Sequence, residues 1–326
     1  MSEANQIVGD TLAVRLSKKE LIAEGVMYFE LVSQSGEDLP AFTAGSHIDV
    51  HLPNGLVRQY SLCGSPSIRS HYEIGVLLEI DGRGGSKSAH QDLQVGASLK
   101  ISYPKNHFPL QQAKHSILFA GGIGVTPVLS MAEMLTDEAA SFEMHYCSRS
   151  ASKTAFIKRI QTSAFASNVQ FHFDDGKEGQ KLNAKEILKK INSDTHLYVC
   201  GPKGFMDYII QTAKELGWPE SQIHYEFFKA EVATKDDDGS FEVELASTGQ
   251  VVKVPADMTI AYALIEAGVA VPLSCEQGIC GTCVMKIVDG VPDHRDVCLS
   301  DDDKEIKKMF TPCCSRAAST RLVLDF

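Results

Sequence analysis

Between residues 26 and 103 apolar and polar positions alternate in short runs, at 26–32, 47–52, 57–62, 72–78 and 98–103, with turn residues between them. A period of two sends one face of each run into a core and the other toward solvent. The runs therefore predict the strands of a small antiparallel barrel. From residue 116 the pattern changes. Apolar runs at 116–120, 142–147, 169–173 and 196–200 predict buried strands, and helical stretches at 127–135, 153–160, 184–191 and 204–216 alternate with them. That alternation predicts a parallel sheet with helices on both faces. A polar, aperiodic stretch follows. Beyond it, 241–245, 251–254 and 322–324 predict strands around a helix at 259–267. The expected fold class is multidomain α/β and β, with a barrel at 1–112, an α/β domain at 113–229, a linker at 230–240 and a last domain at 241–326.

Composition narrows the function classes. The 326 residues leave room for two or three domains, and 44% hydrophobic with 22% charged residues is ordinary for a globular protein. A formal net charge of -11 argues against nucleic acid as a partner and permits docking onto a basic protein surface. Residues 235–326 hold 16 acidic against 9 basic side chains, which suits such docking and equally suits plain solvation. The first residues lack a basic start followed by an apolar run, and no run approaches about 18 apolar residues. Neither a secretory signal nor a membrane span is expected, and a cytoplasmic setting follows. Nine cysteines in such a chain favour metal binding over disulfides.

The cysteine spacing is specific. Four residues separate Cys275 from Cys280 and two separate Cys280 from Cys283, the plant-type 2Fe-2S pattern. Three thiolates reach one cluster only if the loop curls around it, and Gly278 and Gly281 permit that. The fourth ligand comes from Cys298, Cys313 or Cys314. In the plant-type ferredoxins that this stretch resembles, 29 intervening residues is a common separation, which selects Cys313 with Cys314 as runner-up. Cys298 is expected to be a small buried residue. A structural zinc site is the competing reading, although such sites pair cysteines more symmetrically.

Three further stretches carry candidate chemistry. Arg58-Gln59-Tyr60-Ser61 lies on a barrel strand, and the Gly-rich stretch Gly82-Arg83-Gly84-Gly85-Ser86-Lys87-Ser88 leads into a helix at 86–93, where backbone N–H groups can face a phosphate. Gly121-Gly122-Ile123-Gly124-Val125-Thr126-Pro127 joins a strand to a helix, the turn that lets a pyrophosphate approach the backbone. Cys147-Ser148-Arg149 and Cys200-Gly201-Pro202 end two more strands of the same sheet.

Together these motifs resemble the ferredoxin-reductase family, and GRGGS resembles its phthalate dioxygenase reductase branch, whose order is flavin, nicotinamide, then C-terminal ferredoxin. The resemblance covers nearly the whole chain and implies a β-grasp ferredoxin fold for the last domain. Asp293-His294-Arg295-Asp296 and Cys313-Cys314-Ser315-Arg316 match that branch as well. It implies FMN, with Arg58, Gly84, Gly85, Ser86 and Ser88 around the phosphate, Tyr60 along the flavin and Ser61 near its reactive nitrogen. It implies a nicotinamide cofactor held by Gly121, Gly122, Gly124, Thr126, Ser148, Arg149, Cys200, Gly201 and Pro202, with Cys200 beside the ring. Phe228 would stack on the flavin and Glu226 would be the nearby acid. Arg149 would suit the 2′-phosphate of NADPH, whereas Asp174 and Asp175 would repel it and bind a free ribose hydroxyl, so NADH is expected. The implied role is the reductase component of a two-component Rieske-type oxygenase, of the vanillate O-demethylase type, with a carnitine or other quaternary-amine monooxygenase as the alternative partner. The alternative class is a zinc-bound regulatory protein on a reductase scaffold.

Overall fold

The computed structural model describes residues 11–80, 82–177, 180–189, 194–228, 238–273, 276 and 278–326. The chain divides into two compact units, Met1–Phe228 and Lys229–Phe326.

The first unit begins with an antiparallel sheet of β1 (Thr11–Ala23), β2 (Val26–Ser33), β3 (Ser46–His51), β4 (Val57–Ser61), β5 (Tyr72–Leu77), β6 (Ser98–Ser102) and β7 (Lys105–Asn106). Its order is β4-β3-β6-β1-β2-β5, with β7 beside β3. An antiparallel bridge between Leu62 and Ile74 brings the two outer strands together, so the sheet curls into a barrel. Alternate residues fill it: Val14 and Leu16, Phe29 and Leu31, Ile48 and Val50, Ile74 and Val76. Helix α1 (Gly85–Gln91) contributes Ala89 to the same core.

The parallel sheet follows: β8 (His115–Gly121), β9 (Phe142–Ser148), β10 (Val169–Phe173), β11 (Thr195–Cys200) and β12 (Ile223–Glu226), in the order β10-β9-β8-β11-β12. Along β8 the two faces separate residue by residue. Leu118 and Ala120 pack with α2 (Val125–Asp137) and α3 (Ile157–Thr162), while Ile117 and Phe119 pack with α4 (Ala184–Leu188) and α5 (Lys203–Glu215). The first cluster also contains Val26, Tyr28, Cys63 and Phe108 of the barrel, so barrel and parallel layer share a core.

The second unit holds a five-stranded sheet of β13 (Phe241–Leu245), β14 (Val251–Val254), β15 (Met285–Asp289), β17 (Met309–Phe310) and β19 (Arg321–Asp325), ordered β14-β13-β19-β15-β17, and a small pair, β16 (Pro292–Asp293) with β18 (Arg316–Ala317). The central β13 and β19 run parallel and the remaining pairs antiparallel. Helix α6 (Ile260–Glu266) lays Ile260 and Leu264 on this sheet, and α7 (Asp301–Glu305) starts at a Ser300–Asp303 capping box.

The sequence expectation differs from the structure in several places, the short strands β7 and β12 among them. The helix expected at 153–160 begins at Ile157, because Phe156 takes a left-handed backbone (φ 59) that an α-helix cannot continue through. The helix expected at 184–191 ends at Leu188. Strand β1 was not foreseen: Arg15, Lys18, Lys19 and Glu20 break its apolar alternation, yet β2 and β6 satisfy its backbone from both sides. Of the expected linker, residues 230–237 lie outside the described residues. Among the described residues no helix is long and apolar enough to cross a membrane.

Candidate functional site

The barrel strand β4 and the glycine-rich loop meet at Arg58. A side chain on Gly85 would begin 2.7 Å from Arg58 Cγ and Nε, so the backbone there can lie against the arginine only as glycine. Gly84 precedes the helix with φ +89, in the left-handed region, and its carbonyl accepts from Asn54 Nδ2 at 3.3 Å. Ser86 and Ser88 are committed locally. The Glu79 N–H donates to Ser86 Oγ at 3.0 Å, which closes the loop, and buried Ser88 donates to Asp92 Oδ2 at 2.6 Å. Tyr60 packs against the barrel core, and burial pushes its hydroxyl up to about 12.

Ser61 is buried, and on the ladder it faces His47 directly. Directly opposed residues share a face. His47 is also buried, neither ring nitrogen has a partner among the described residues, and burial followed by the neighbouring His107 holds the ring down to about 4. The Nε2 of Gln59 is likewise buried and unpartnered. Unpaired polar atoms are costly, so this face fits a ligand carrying both donors and acceptors, such as a flavin ring edge. Sequence reading missed His47 because a histidine in a strand carries no motif.

At the other site, strands leave β8 in opposite directions: β9 and β10 to one side, β11 and β12 to the other. A crevice at the carboxyl ends of β8 and β11 is the expected binding place of such a sheet. Both nucleotide motifs converge there. A Cβ on Gly124 would collide with the Cys200 carbonyl, one on Gly201 would lie 2.9 Å from Gly121 Cα, and one on Gly121 would lie 2.9 Å from Pro202 Cδ. Gly122 is left-handed (φ +54), and its carbonyl accepts from Tyr146 Oη at 3.1 Å. Thr126 donates to the Ile123 carbonyl at 3.1 Å.

Beyond β9, Ser148 Oγ lies 2.6 Å from Thr154 Oγ1, while Arg149 and Asp174 are exposed on neighbouring strand ends. The Asp174 N–H donates to the Ser148 carbonyl at 3.1 Å, which brings those two residues together. On the opposite side Cys200 is fully buried and pairs in register with Glu226. Burial, then Glu226, raises the Cys200 thiol well above its ordinary value. Glu226 Oε2 is buried without a partner among the described residues, and burial pushes that carboxyl up to about 8. Phe228 packs, partly buried, against the core cluster that includes Cys200.

In the second unit Cys275 lies outside the described residues. Gly278 (φ +70) and Gly281 (φ +69) are both left-handed, and the Gly278 carbonyl accepts from the Val297 N–H at 3.0 Å. Glu276 is buried and accepts from Tyr262 Oη at 2.9 Å. Cys280 is partly exposed, while Cys283, Cys313 and Cys314 are buried. The Cys313 thiol is raised by contacts with the Cys283 and Cys314 thiols and by burial. Cys314 is pinned by hydroxyls, 3.3 Å from Thr311 Oγ1 and 3.7 Å from Ser315 Oγ, and a Cβ on Gly278 would strike its sulfur.

Cys298, expected to be buried, is partly exposed and within electrostatic reach of Cys283 and Cys280. His294 is 3.3 Å from Asp296 Oδ1. Among the described residues no group of three or more His, Cys, Asp and Glu is gathered at metal-holding geometry. The free thiols nevertheless match, in donor chemistry, what iron–sulfur ligation requires.

Residues 243–318 match the 2Fe-2S iron-sulfur cluster binding domain, and residues 103–223 match the dimethylamine monooxygenase subunit DmmA-like, N-terminal domain. A vanillate O-demethylase oxidoreductase from a Pseudomonas species is 51% identical over 96% of this chain and 99% of its own length. A phthalate dioxygenase reductase from Burkholderia cepacia is 39% identical over 96% of this chain and 97% of its own. A solved structure of phthalate dioxygenase reductase, described as a modular structure for electron transfer from pyridine nucleotides to 2Fe-2S, superimposes with a TM-score of 0.80 at 38% identity, covering 97% of this chain and 98% of that one.

Proposed function

The chain belongs to the phthalate dioxygenase reductase family, and on that premise we propose that it is the electron-transfer reductase of a two-component oxygenase, taking hydride from NADH and passing single electrons to a terminal Rieske-type oxygenase of the vanillate O-demethylase kind. The observation that carries this is likeness along the whole chain: barrel, parallel sheet and cysteine loop occur in one polypeptide in the order of those relatives. Bound FMN supplies the step that neither neighbour can, since it takes two electrons together and yields them one at a time.

The chain's own residues bind, orient and shield. Arg58 and the Gly84–Gly85 backbone hold the flavin phosphate, Ser86 shapes that loop through Glu79, and Ser88 holds its helix through Asp92. Tyr60 would lie along the flavin ring and Ser61 would reach its edge. The Gly121, Gly122 and Gly124 backbone with Thr126 admits the dinucleotide, and Gly201 and Pro202 close the crevice behind it. Ser148, Arg149 and Asp174 receive the adenosine ribose, where the Asp174 carboxylate disfavours a 2′-phosphate. Cys200 and Glu226 flank the nicotinamide, with Glu226 favouring its neutral form, and Phe228 covers the place the ring enters. Cys275, Cys280, Cys283 and Cys313 ligate the cluster. The domain limits are those read from the sequence.

The test is reconstitution with a purified vanillate-type oxygenase. NADH-driven demethylation of vanillate supports the reading. Rapid reduction of ferricyanide without any support of that oxygenase would leave the reductase assignment standing and remove the named partner.

A further inference from the structure

Away from the cofactor loops, the barrel meets the parallel layer across a charged seam. Arg159 on α3 donates from Nη1 to Glu73 Oε2 on β5 at 2.9 Å and from Nη2 to Glu133 Oε1 on α2 at 2.9 Å. Tyr28 on β2 donates to the other oxygen of Glu73 at 2.7 Å. Side-chain exposures of 29%, 14% and 22% for Arg159, Glu73 and Glu133 put the group largely out of water. One guanidinium therefore holds a carboxylate of the barrel and a carboxylate of the parallel layer together.

The same strand touches both cofactor sites. The Glu73 carbonyl accepts from the Cys63 N–H at 2.9 Å, two residues past Ser61. Two residues beyond Glu73, and so on the same face of β5, Gly75 lies so close that a Cβ would stand 3.0 Å from Thr126 Cγ2 and 3.2 Å from the Phe156 ring. Phe156 meets Tyr28 edge-on, and its left-handed backbone is a strain that only over-determined surroundings sustain. Strand β5 is thus tied to the end of the flavin strand on one side and to the dinucleotide loop on the other.

We propose that Arg159 is a positioning residue for hydride transfer: by gripping Glu73 and Glu133 it fixes the spacing between the strand end that carries Ser61 and the loop that carries Thr126. The inference rests on the flavin and nicotinamide assignment above. Hydride transfer needs donor and acceptor about 3–3.5 Å apart, and a misplacement of about 1 Å can cost on the order of a hundred-fold in rate. A clamp of this kind acts on rate more than on affinity.

The test is anaerobic stopped-flow reduction of the full-length holoprotein at saturating NADH, following flavin bleaching, the long-wavelength nicotinamide–flavin charge-transfer band and the isotope effect with 4-deuterated NADH. Arg159→Gln is expected to retain its flavin, lose at least about ten-fold in hydride-transfer rate and weaken the charge-transfer band, while half-saturating NADH moves less than about three-fold. Arg159→Lys should recover part of the rate. The near-isosteric Glu133→Gln, which leaves the Glu73 contact in place, serves if Arg159→Gln does not fold, and should slow transfer by about three-fold. Wild-type rates and charge-transfer bands in variants that only melt earlier would overturn the proposal. A wild-type protein whose flavin NADH does not bleach would overturn the underlying assignment instead.

Discussion

Cys200 and Glu226 stand directly across the parallel ladder of β11 and β12, a thiol with no exposed surface beside a carboxyl whose buried Oε2 has no hydrogen-bond partner among the described residues. Burial favours the neutral form of each. The pair therefore favours its neutral forms, and the crevice can take a nicotinamide ring without confronting it with a fixed anion.

That relationship fixes a pH dependence. The folded Glu226 carboxyl is raised to about 8, above its unfolded value, so its contribution to stability is complete below the unfolded pKa and is lost as pH rises through about 8. Thermal melts of the wild type and Glu226→Gln from pH 5 to 9 should diverge, the wild type losing a few kcal/mol relative to the variant at the alkaline end. Parallel curves would mean that Glu226 is already ionised in the folded protein.

Gly124 tests the dinucleotide crevice. Gly124→Val places a branched side chain against the Cys200 carbonyl, with backbone on both sides and no flexible neighbour to yield. The expected result is at least about a ten-fold rise in the NADH concentration needed for half-maximal reduction, with flavin content unchanged. Equal loss of flavin would show that the substitution disturbs the fold at large.

Much of this was legible in the sequence, because alternation and short apolar runs report burial directly. Most strands of the barrel and of the parallel sheet, β1, β7 and β12 excepted, followed from pattern, and the convergence of GGIGVTP with Cys200-Gly201-Pro202 followed from the switch-point rule. The short strand β12, which puts Glu226 beside Cys200, was hidden within an aromatic cluster. His47 opposite Ser61 and Arg159 between Glu73 and Glu133 depend on pairings across the chain that no local pattern encodes.

If the proposed phosphate site is right, flavin retention depends on Arg58 and Gly85. Arg58→Ala removes the cation beside the loop, and Gly85→Val drives a side chain into the arginine. Each variant should release FMN on gel filtration and lose the rise in melting temperature that added FMN gives the wild type. Tight FMN binding in both would move the phosphate site elsewhere on the barrel.

The fourth cluster ligand separates cleanly by substitution. The Cys313 thiol contacts the thiols of Cys283 and Cys314, whereas Cys314 is held in addition by Thr311 and Ser315. Cys313→Ser should lose the visible bands and the reduced-state electron paramagnetic resonance of a 2Fe-2S centre, and Cys314→Ser should keep both. The reverse outcome would assign the ligand to Cys314.

The central claim is one electron path from NADH through flavin to a cluster within this chain, and an anaerobic NADH titration followed by visible absorption tests it most directly. The account predicts that flavin and iron–sulfur bands both bleach and that chromatography of the released flavin recovers FMN. Flavin bleaching with no cluster signal, or a colourless protein containing zinc, would contradict it.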